Sequence, residues 1–215
     1  MKKLHKIIAA TLLASAATTG SSVVLAESAL TANVGMTSNY IWRGATQTKD
    51  SSAISGGIDY AHASGAYVGI WTSNVSWTTT APGYEQDIYA GYAFDAGPVG
   101  LDVGYISYGY PLSTVDDFSE IYVNATFKNF NAGIANDSKN KSTYISAGAE
   151  FEVKKDLTLA VTFGSFDYSG SANDYAHTQL SLSKGDFTFA YDDTDQSGAA
   201  GKPRLSVSWS QSFDL

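Results

Sequence analysis

Alternation of apolar and polar residues with a period of two runs through most of the chain and constrains its fold more than any other feature. From Leu30 to Met36, apolar Leu, Ala, Val and Met alternate with Thr, Asn and Gly, and residues 145–153 repeat this pattern with Ser, Gly and Glu on the polar side. Such a period places successive side chains on opposite faces of a strand, whereas the i, i+3, i+4 spacing of an amphipathic helix is hard to find. The sequence therefore predicts an all-β protein.

The period and its interruptions predict twelve strands, an even number of the kind that single-chain bacterial barrels contain. No segment after residue 26 is apolar over the roughly 20 residues that a membrane-spanning helix needs. We therefore predict a closed antiparallel up-and-down transmembrane β-barrel. The predicted strands are 29–41, 52–61, 66–76, 84–94, 99–108, 118–127, 130–136, 143–153, 157–166, 174–183, 186–192 and 203–214.

The predicted links alternate between short turns and longer loops, as the periplasmic and outer ends of an outer-membrane barrel do. A soluble β-sandwich also alternates, but its outward face is often rich in Lys, whereas Gly, Ser, Thr, Asn, Tyr and acids dominate the polar side here. That composition favours a lumen. The apolar residues of the final strand occupy alternate positions and so share one face up to the end of the chain. We expect the barrel-assembly machinery to recognise a C-terminal strand of this kind.

The first 26 residues have the pattern of an export signal. Three lysines precede an apolar stretch from Ile7 to Ala17, and Val24, Leu25 and Ala26 form a small-residue cleavage site. We expect residues 1–26 to be a secretory signal peptide cleaved after export through the Sec pathway, and residues 27–215 to form a single outer-membrane barrel domain. A membrane anchor is the alternative, but eleven apolar residues are too few.

The charge balance is acidic, with 13 Lys and Arg against 21 Asp and Glu, and the predicted signal removes three of the lysines. Nucleic acid is a poor partner for such a chain, because binding to phosphates relies on clustered Lys and Arg. Cations and small polar solutes fit better. Cysteine is absent, so neither disulfides nor thiolate metal sites can stabilise the fold.

Carboxylates repeatedly occupy the polar face of the predicted strands, and Arg43 is the main cation expected near the outer mouth. A ring of inward acids favours cation passage, although the same acids could pair with Arg43, Tyr hydroxyls and water and only hold the strands. We expect no plug domain and no loop long enough to occlude the lumen fully, with tyrosines narrowing the path. The predicted pore-lining residues are Arg43, Asp59, Glu85, Asp87, Asp102, Glu120, Tyr122, Glu150 and Glu152.

Aromatic residues near strand ends predict girdles at the membrane interfaces, where amphipathic rings prefer to lie. The third strand is ambiguous, since Tyr67, Trp71 and Val75 compete with Val68 and Ile70 for the lipid side. We expect the aromatic set to face lipid. The predicted girdle residues are Tyr40, Trp42, Tyr60, Trp77, Tyr92, Phe94, Phe127 and Phe213.

Catalytic or metal chemistry has little support in the sequence. His62 falls in a predicted turn and His177 in mid-strand, so the two isolated histidines do not suggest a metal site. A Ser/His/Asn hydrolase centre around His177 needs an oriented base beside a nucleophile, and no motif for one stands out. Loop acids such as Asp116 and Asp117 could hold a hard cation but more often face solvent. We predict no catalytic residues, no metal and no cofactor.

Several motifs resemble one known family. The stretch LTANVGMTSNYIWRGATQT, from Leu30 to Thr48, resembles the opening signature of the TorF-type porins, also called the Gcw_chp family. Segments 57–62, 67–75, 85–92, 102–111 and 118–122 resemble its later motifs, so the likeness covers most of the first half of the chain. The resemblance implies an outer-membrane barrel of porin type with no defined catalytic residues or substrate.

The sequence leaves two functions open. The first is a passive or weakly selective channel for small polar solutes in the bacterial outer membrane, with a preference for cations. The second is a non-conducting barrel that serves as a structural element or surface receptor. In either case we expect outer-membrane lipid and lipopolysaccharide to surround the barrel.

Overall fold

The computed structural model describes residues 28–77, 83–111, 115–169 and 174–215. In these ranges twelve strands form one closed antiparallel barrel, and a two-stranded hairpin lies between the first two barrel strands. The predicted all-β fold and the twelve-stranded closed barrel are confirmed. No helix among the described residues has the length and apolar character to cross a membrane. The predicted signal peptide lies outside the described residues.

The strands follow the predicted order, and each barrel strand pairs with its neighbours in sequence. Closure comes from β1, which pairs with β4 on one side and with β14 on the other, so that Asn33 lies opposite both Gly57 and Ser212. The strands are β1 Ala29–Thr37, β2 Ile41–Trp42, β3 Ala45–Thr46, β4 Ala53–Ala61, β5 Ala66–Val75, β6 Gly83–Ala96, β7 Val99–Gly109, β8 Phe118–Phe127, β9 Phe130–Asp137, β10 Ser142–Lys154, β11 Leu157–Tyr168, β12 Tyr175–Lys184, β13 Phe187–Thr194 and β14 Arg204–Asp214.

The outer surface of the barrel is apolar and its interior is polar, the reverse of a soluble β-protein. Ile54 and Ile121 are each 64% exposed, whereas Glu85, Asp87 and Glu120 are buried. A water-soluble fold would not expose a continuous band of large aliphatic side chains while enclosing carboxylates. This inside-out pattern is the one that a lipid-facing barrel requires.

The two ends of the barrel differ. One end carries short turns, such as the two-residue link between Phe127 and Phe130 and the link at Gly97, where φ is +65°. The other end carries the longer links, of which the first, residues 38–52, contains β2 and β3. We call these the turn end and the loop end. By analogy with outer-membrane barrels the turn end would face the periplasm.

Exposed aromatic side chains gather at the turn end. Five of the predicted girdle residues face outward there, and three further phenylalanines join them. This turn-end belt comprises Tyr60, Tyr92, Phe94, Phe127, Phe130, Phe151, Phe187 and Phe213.

Three predicted girdle residues do not face outward, so that part of the prediction is wrong. Tyr40 is buried, and Trp42 and Trp77 pack against the same interior cluster. The reason is that β1 ends at Thr37 rather than at residue 41, and the chain then turns into the lumen. Trp77 also points inward, because its indole Nε1 donates a hydrogen bond to Oε1 of Gln47 in the inward loop, at 2.9 Å.

The third predicted strand, β5, has the opposite orientation from the one expected. Val68 and Ile70 face outward, whereas Trp71 and Val75 are only 4% and 1% exposed and face the lumen. Trp71 packs edge-on against Tyr40, with 5.6 Å between ring centroids. The inward loop supplies an apolar surface inside the barrel that the period of β5 alone could not reveal.

Candidate functional site

The first loop, residues 38–52, folds into the barrel instead of extending from it. Its strands β2 and β3 pair Ile41 with Thr46 and Trp42 with Ala45. Arg43 and Gly44 form the two-residue tip with φ values of +49° and +80°, as a tight hairpin of the primed type requires. The sequence predicted that no loop would occlude the lumen fully, and it did not predict that the first loop would fold inward.

Arg43 anchors the tip to the barrel wall. Its two terminal nitrogens donate to the two carboxylate oxygens of Glu120 at 2.6 and 2.7 Å. The guanidinium also lies over the rings of Trp42 and Tyr144, 4.3 and 4.0 Å from their centroids. Parallel hydrogen bonds and cation–π contacts use the planar shape of arginine, so a lysine could not reproduce both.

The tip spans the width of the barrel. The loop leaves from β1 and returns to β4, and the strand opposite this pair in the closed ring lies near β9. Arg43 reaches this far side. Its side chain contacts Glu120 on β8, and its carbonyl accepts a hydrogen bond from the Tyr175 hydroxyl on β12, 3.0 Å away. A Cβ on Gly44 would lie 2.6 Å from His177 Cβ. The first loop is therefore a constriction across the lumen.

A second ion pair holds the base of the loop. Arg204 Nε donates to Asp50 Oδ1 at 2.7 Å, and Asn39 donates to the same oxygen at 2.9 Å. The Arg204 hydrogen bond holds the pKa of the Asp50 carboxyl below its usual range. Arg204 also donates to the carbonyls of Ala199, Ala200 and Lys202. The last long loop is thereby joined to the first.

Aromatic rings fill the space around the hairpin. Trp42 packs against Tyr108, Phe118 and Phe166, with centroid distances of 5.7, 6.2 and 5.9 Å. Trp77 packs edge-on against Tyr110 at 4.9 Å. These rings lie at the loop end, where they surround the first loop and exclude water from its contacts.

Below the hairpin, two predicted pore-lining aspartates join a network of tyrosines. Asp59 accepts hydrogen bonds from the Tyr89 hydroxyl and from Asn33. Asp102 accepts one from the Tyr67 hydroxyl at 2.6 Å, and Tyr67 also bonds Tyr122. The neighbouring Gly69, Gly91 and Gly104 leave room for these rings, since a Cβ at each would lie within 2.5 Å of a tyrosine.

The remaining predicted pore-lining acids have different surroundings. Glu85 and Asp87 are enclosed on β6 near Tyr40, and Glu120 is bound by Arg43. Glu150 is half-buried in the lumen, whereas Glu152 is exposed beside a turn, where it accepts a hydrogen bond from the Asp156 amide. All the predicted residues thus have a definite place, and their part in conduction stays a prediction.

The wall opposite the tyrosines is lined by small side chains. Below the hairpin, strands β9 to β14 place mostly Ala, Gly, Ser and Thr at inward positions, whereas β5 to β8 place Trp and Tyr there. The inward rings of β10 to β12, Tyr144, Phe166 and Tyr175, lie higher, at the loop end around the hairpin tip. The lumen is therefore filled unevenly, with its bulk on one side. The buried small residues are Ala135, Gly164, Ala160, Ser181, Ala190 and Ser206.

His177 does not form a hydrolase-like centre with any described residue. Its Nε2 lies 2.9 Å from the Tyr144 hydroxyl, and the two rings stack. Its Nδ1 has no hydrogen-bond partner, so no carboxylate or amide orients the ring as a base. Among the described residues, no group of three or more His, Cys, Asp or Glu side chains is placed to hold a metal ion.

The sequence identified Arg43 and Glu120 as inward residues, but it did not identify the aromatic side chains around Arg43 or the ion pair at the base of the loop. Tyr144, Phe166, Tyr175, Asp50 and Arg204 carry no motif and meet only through barrel closure. One signal was present in the sequence, because the run Tyr-Ile-Trp followed by Arg-Gly places apolar residues and a turn inside a long link.

Comparisons with known proteins agree with this architecture. Two solved structures share the fold: a KdgM porin, 10% identical with a TM-score of 0.60, and a KdgM porin in complex with disordered oligogalacturonate, 8% identical with a TM-score of 0.55. The alignments cover 85% and 87% of this chain and 99% of each porin chain. At such low identity the likeness concerns the fold alone.

A family profile described as "Bacterial protein of unknown function (Gcw_chp)" matches residues 21–200. No curated protein matches the chain. The profile agrees with the Gcw_chp resemblance of the sequence motifs, while the TorF name stays a prediction. Because the match covers most of the chain, the protein belongs to the Gcw_chp family of bacterial proteins.

Proposed function

We propose that this protein is an outer-membrane channel for small polar solutes, constricted by its own first loop. The observation that carries the proposal is a closed barrel with an apolar exterior and a polar, acid-bearing interior that a pinned hairpin crosses. Twelve strands enclose an interior between the filled eight-stranded barrels and the open porins of sixteen or more strands. A hairpin inside such a barrel leaves a narrow path rather than a wide pore.

The uneven filling of the lumen suggests where that path runs. The tyrosines below the hairpin occupy the side of β5 to β8, while the small residues of β9 to β14 leave space below the hairpin tip. Hydroxyls such as those of Ser181 and Ser206 and the carboxylate of Asp192 offer hydrogen bonds to a passing solute. The path would therefore follow the small-residue wall.

The charge of the lumen favours cations and neutral polar molecules. Among the described inward residues, the acids outnumber the cations, and Arg43 is already paired with Glu120. An anionic oligosaccharide such as the oligogalacturonate named with one KdgM structure would meet repulsion here. A lumen with fixed negative charge raises the local concentration of cations.

The test is conductance of the refolded protein in planar lipid bilayers. We expect small, cation-selective steps from the native chain, and larger steps from Arg43→Ala/Glu120→Gln, because the hairpin is released without leaving an unpaired charge. Lys128→Ala, at a turn outside the lumen, serves as the control and should conduct like the native chain. Anion preference would contradict the selectivity.

A non-conducting barrel is the second candidate function, and the buried, well-bonded hairpin favours it. The two candidates differ in one measurement. If neither the native chain nor the hairpin-release variant conducts above the lipid background while both are folded, the channel proposal is wrong and the barrel acts as a structural element or receptor.

A further inference from the structure

Two carboxylates inside the barrel lack the partners that the other buried acids have. Glu85 and Asp87 occupy successive inward positions of β6 and are 2% and 0% exposed. Among the described residues, neither oxygen of Asp87 has a hydrogen-bond partner, and Glu85 Oε2 has none. Only Glu85 Oε1 is bonded, by the Tyr40 hydroxyl at 3.3 Å. Three of the four oxygens of this pair are therefore enclosed without a donor, and the hydrogen bond still open to them joins the two carboxyl groups themselves, which requires a shared proton.

The contrast with the other lumen acids is clear. Glu120 binds Arg43 through both oxygens, and Asp59 and Asp102 each accept two side-chain hydrogen bonds. Asp192 on β13 accepts one hydrogen bond at Oδ1, from the Gln179 amide, and its Oδ2 has no partner among the described residues. The pair on β6 goes further, because three of its four oxygens lack a partner, and this calls for an explanation.

No cationic side chain in the described part of the chain compensates the pair. The two ion pairs of the described residues join Arg43 to Glu120 and Arg204 to Asp50. Two ionised carboxylates enclosed without a counter-charge are very costly, since the desolvation penalty of each charge is several kcal/mol. The pair must therefore be neutralised either by a bound cation or by protons.

The surroundings of the pair suit a cation with oxygen ligands. In the register of the sheet Glu85 lies opposite Ser73 and Asp87 opposite Trp71 and Tyr108, and Tyr40 of the first loop covers the pair from the lumen side. Two carboxylates and a phenol oxygen are hard donors, which Ca²⁺ prefers in variable geometry, and water can complete its coordination. A divalent charge would balance two carboxylates.

We propose that Glu85 and Asp87 form a binding site for one hard divalent cation of the Ca²⁺ type inside the barrel, which the Tyr40 hydroxyl completes. The bound ion would join the first loop to β6, two strands away from β8, which carries Glu120. The hairpin would then be held at its base by Arg204, at its tip by Glu120 and along its side by the cation. This proposal does not depend on conduction, because a closed barrel could hold the ion.

Terbium luminescence tests the site directly. Tb³⁺ replaces Ca²⁺ at oxygen sites and emits when a nearby aromatic ring absorbs, and Tyr40 and Trp71 both lie beside the pair. We expect the refolded protein in detergent to give saturable Tb³⁺ emission that excess Ca²⁺ abolishes. Ca²⁺ should also raise the temperature at which the barrel unfolds, and EDTA should reverse the effect.

Matched variants assign the signal to this pair. Glu85→Gln and Asp87→Asn, made singly, should each weaken Tb³⁺ binding at least tenfold, whereas Glu150→Gln, which removes a lumen acid elsewhere, should leave it unchanged. A heat-dependent gel shift shows that each variant is folded. If one of them does not fold, Tyr40→Phe provides the second comparison and should weaken binding severalfold.

The alternative is that the two carboxyl groups stay neutral by holding protons. In that case the native protein would give no Ca²⁺-sensitive emission above that of the Glu85→Gln variant, and Ca²⁺ would not change its unfolding temperature. Either result overturns the proposal. Neither result bears on bilayer conductance, so the failure of this inference and the failure of the channel are distinguishable.

Discussion

Arg43 joins the first loop to the barrel wall through two kinds of contact, a bidentate ion pair with Glu120 and stacking on aromatic rings. Each depends on the other, because the rings of Trp42 and Tyr144 keep water away from the charges. At the residue scale, the position of the constriction therefore depends on one side chain. Removing one partner of such a buried ion pair lowers the free energy of unfolding strongly, even if the intact pair contributes little to it.

Arg43→Ala should lower the free energy of unfolding by about 3–5 kcal/mol, because it leaves the Glu120 carboxylate buried without its cation. Arg43→Lys should lose less, since it keeps the charge but not the parallel hydrogen bonds. Urea titrations in detergent, followed by tryptophan fluorescence, measure both. The double variant Arg43→Ala/Glu120→Gln should recover part of the loss. Equal stability of Arg43→Ala and the native chain would contradict this account.

Asp50 predicts a pH dependence at the base of the loop. Its pKa is lowered by the hydrogen bond from Arg204, so the folded state prefers the ionised form more than the unfolded state does. The stability from this pair is therefore present above the usual value near 3.8 and is lost as the pH falls below it. Thermal unfolding of the native chain and of Asp50→Asn should differ at pH 7, and the difference should shrink as the pH falls below 3.8. A difference that grows on acidification would show the opposite sign.

At the scale of single elements, the hairpin of β2 and β3 depends on glycine at its tip. Gly44 has φ of +80° and lies so close to His177 that a Cβ would contact the imidazole side chain at 2.6 Å. Gly97, in a short turn, has a similar positive φ of +65° but open space around it. An alanine at Gly97 would introduce backbone strain alone, whereas an alanine at Gly44 would add a steric clash with His177. Comparing the two variants therefore isolates the effect of the clash.

Gly44→Ala should release the hairpin, whereas Gly97→Ala should cost only the backbone strain of about 1–2 kcal/mol. Limited proteolysis of the folded protein measures the difference, because a displaced first loop exposes the largely enclosed Arg43 to trypsin, whereas Lys49 is exposed in the native structure already. We expect faster cleavage within residues 38–52 for Gly44→Ala alone. Equal cleavage of the two variants would mean that contact with His177 does not hold the tip.

The orientation of β5 gives a second prediction for an element. The chain has no cysteine, so a single introduced cysteine can be labelled specifically. A bimane label on Ile70→Cys, which faces outward, should be quenched by brominated lipid in liposomes. Ser73→Cys faces the lumen and should be labelled poorly or escape quenching. The reverse result would restore the orientation with the aromatic residues of β5 facing lipid.

At the scale of the whole molecule, the barrel is closed by the pairing of β1 with β14, which leaves no free edge. Every strand then satisfies its backbone hydrogen bonds within the ring, as a structure in lipid must. The turn-end belt gives the outer surface an aromatic margin on the side of the short turns. Membrane interfaces favour such rings, so this margin would mark the periplasmic edge of the bilayer.

Closure predicts a simple behaviour in gels. A refolded barrel should keep its backbone pairing in cold dodecyl sulfate and migrate differently before and after boiling, since no disulfide holds it and only the ring of hydrogen bonds resists the detergent. The folded protein should also need detergent or lipid to stay in solution. A chain that remains soluble without detergent and shows no heat-dependent shift would not be a membrane barrel.

The period-two pattern determined most of the architecture, and every barrel strand was predicted near its observed bounds except for the end of β1. Alternation is a local property, because the pleat itself directs neighbouring side chains to opposite faces, and so the inward positions of Asp59, Glu120 and Tyr122 could be read from the chain. The even number of strands and the alternation of short and long links could also be predicted from the local pattern along the chain. These features did not depend on which distant residues meet.

Only the tertiary structure decided what fills the lumen. Tyr40 and Trp42 continue the parity of β1 in the sequence, yet both leave the sheet. Tyr40 bonds Glu85, and Trp42 packs against Tyr108 and Phe166, each more than sixty residues away from it. That choice depends on the cavity that closure creates, where Arg43 finds Glu120 and the inward side of β5 receives Trp71 against Tyr40. A cavity lined by distant strands has no local signature, because its energy arises from contacts that exist only after the ring has closed.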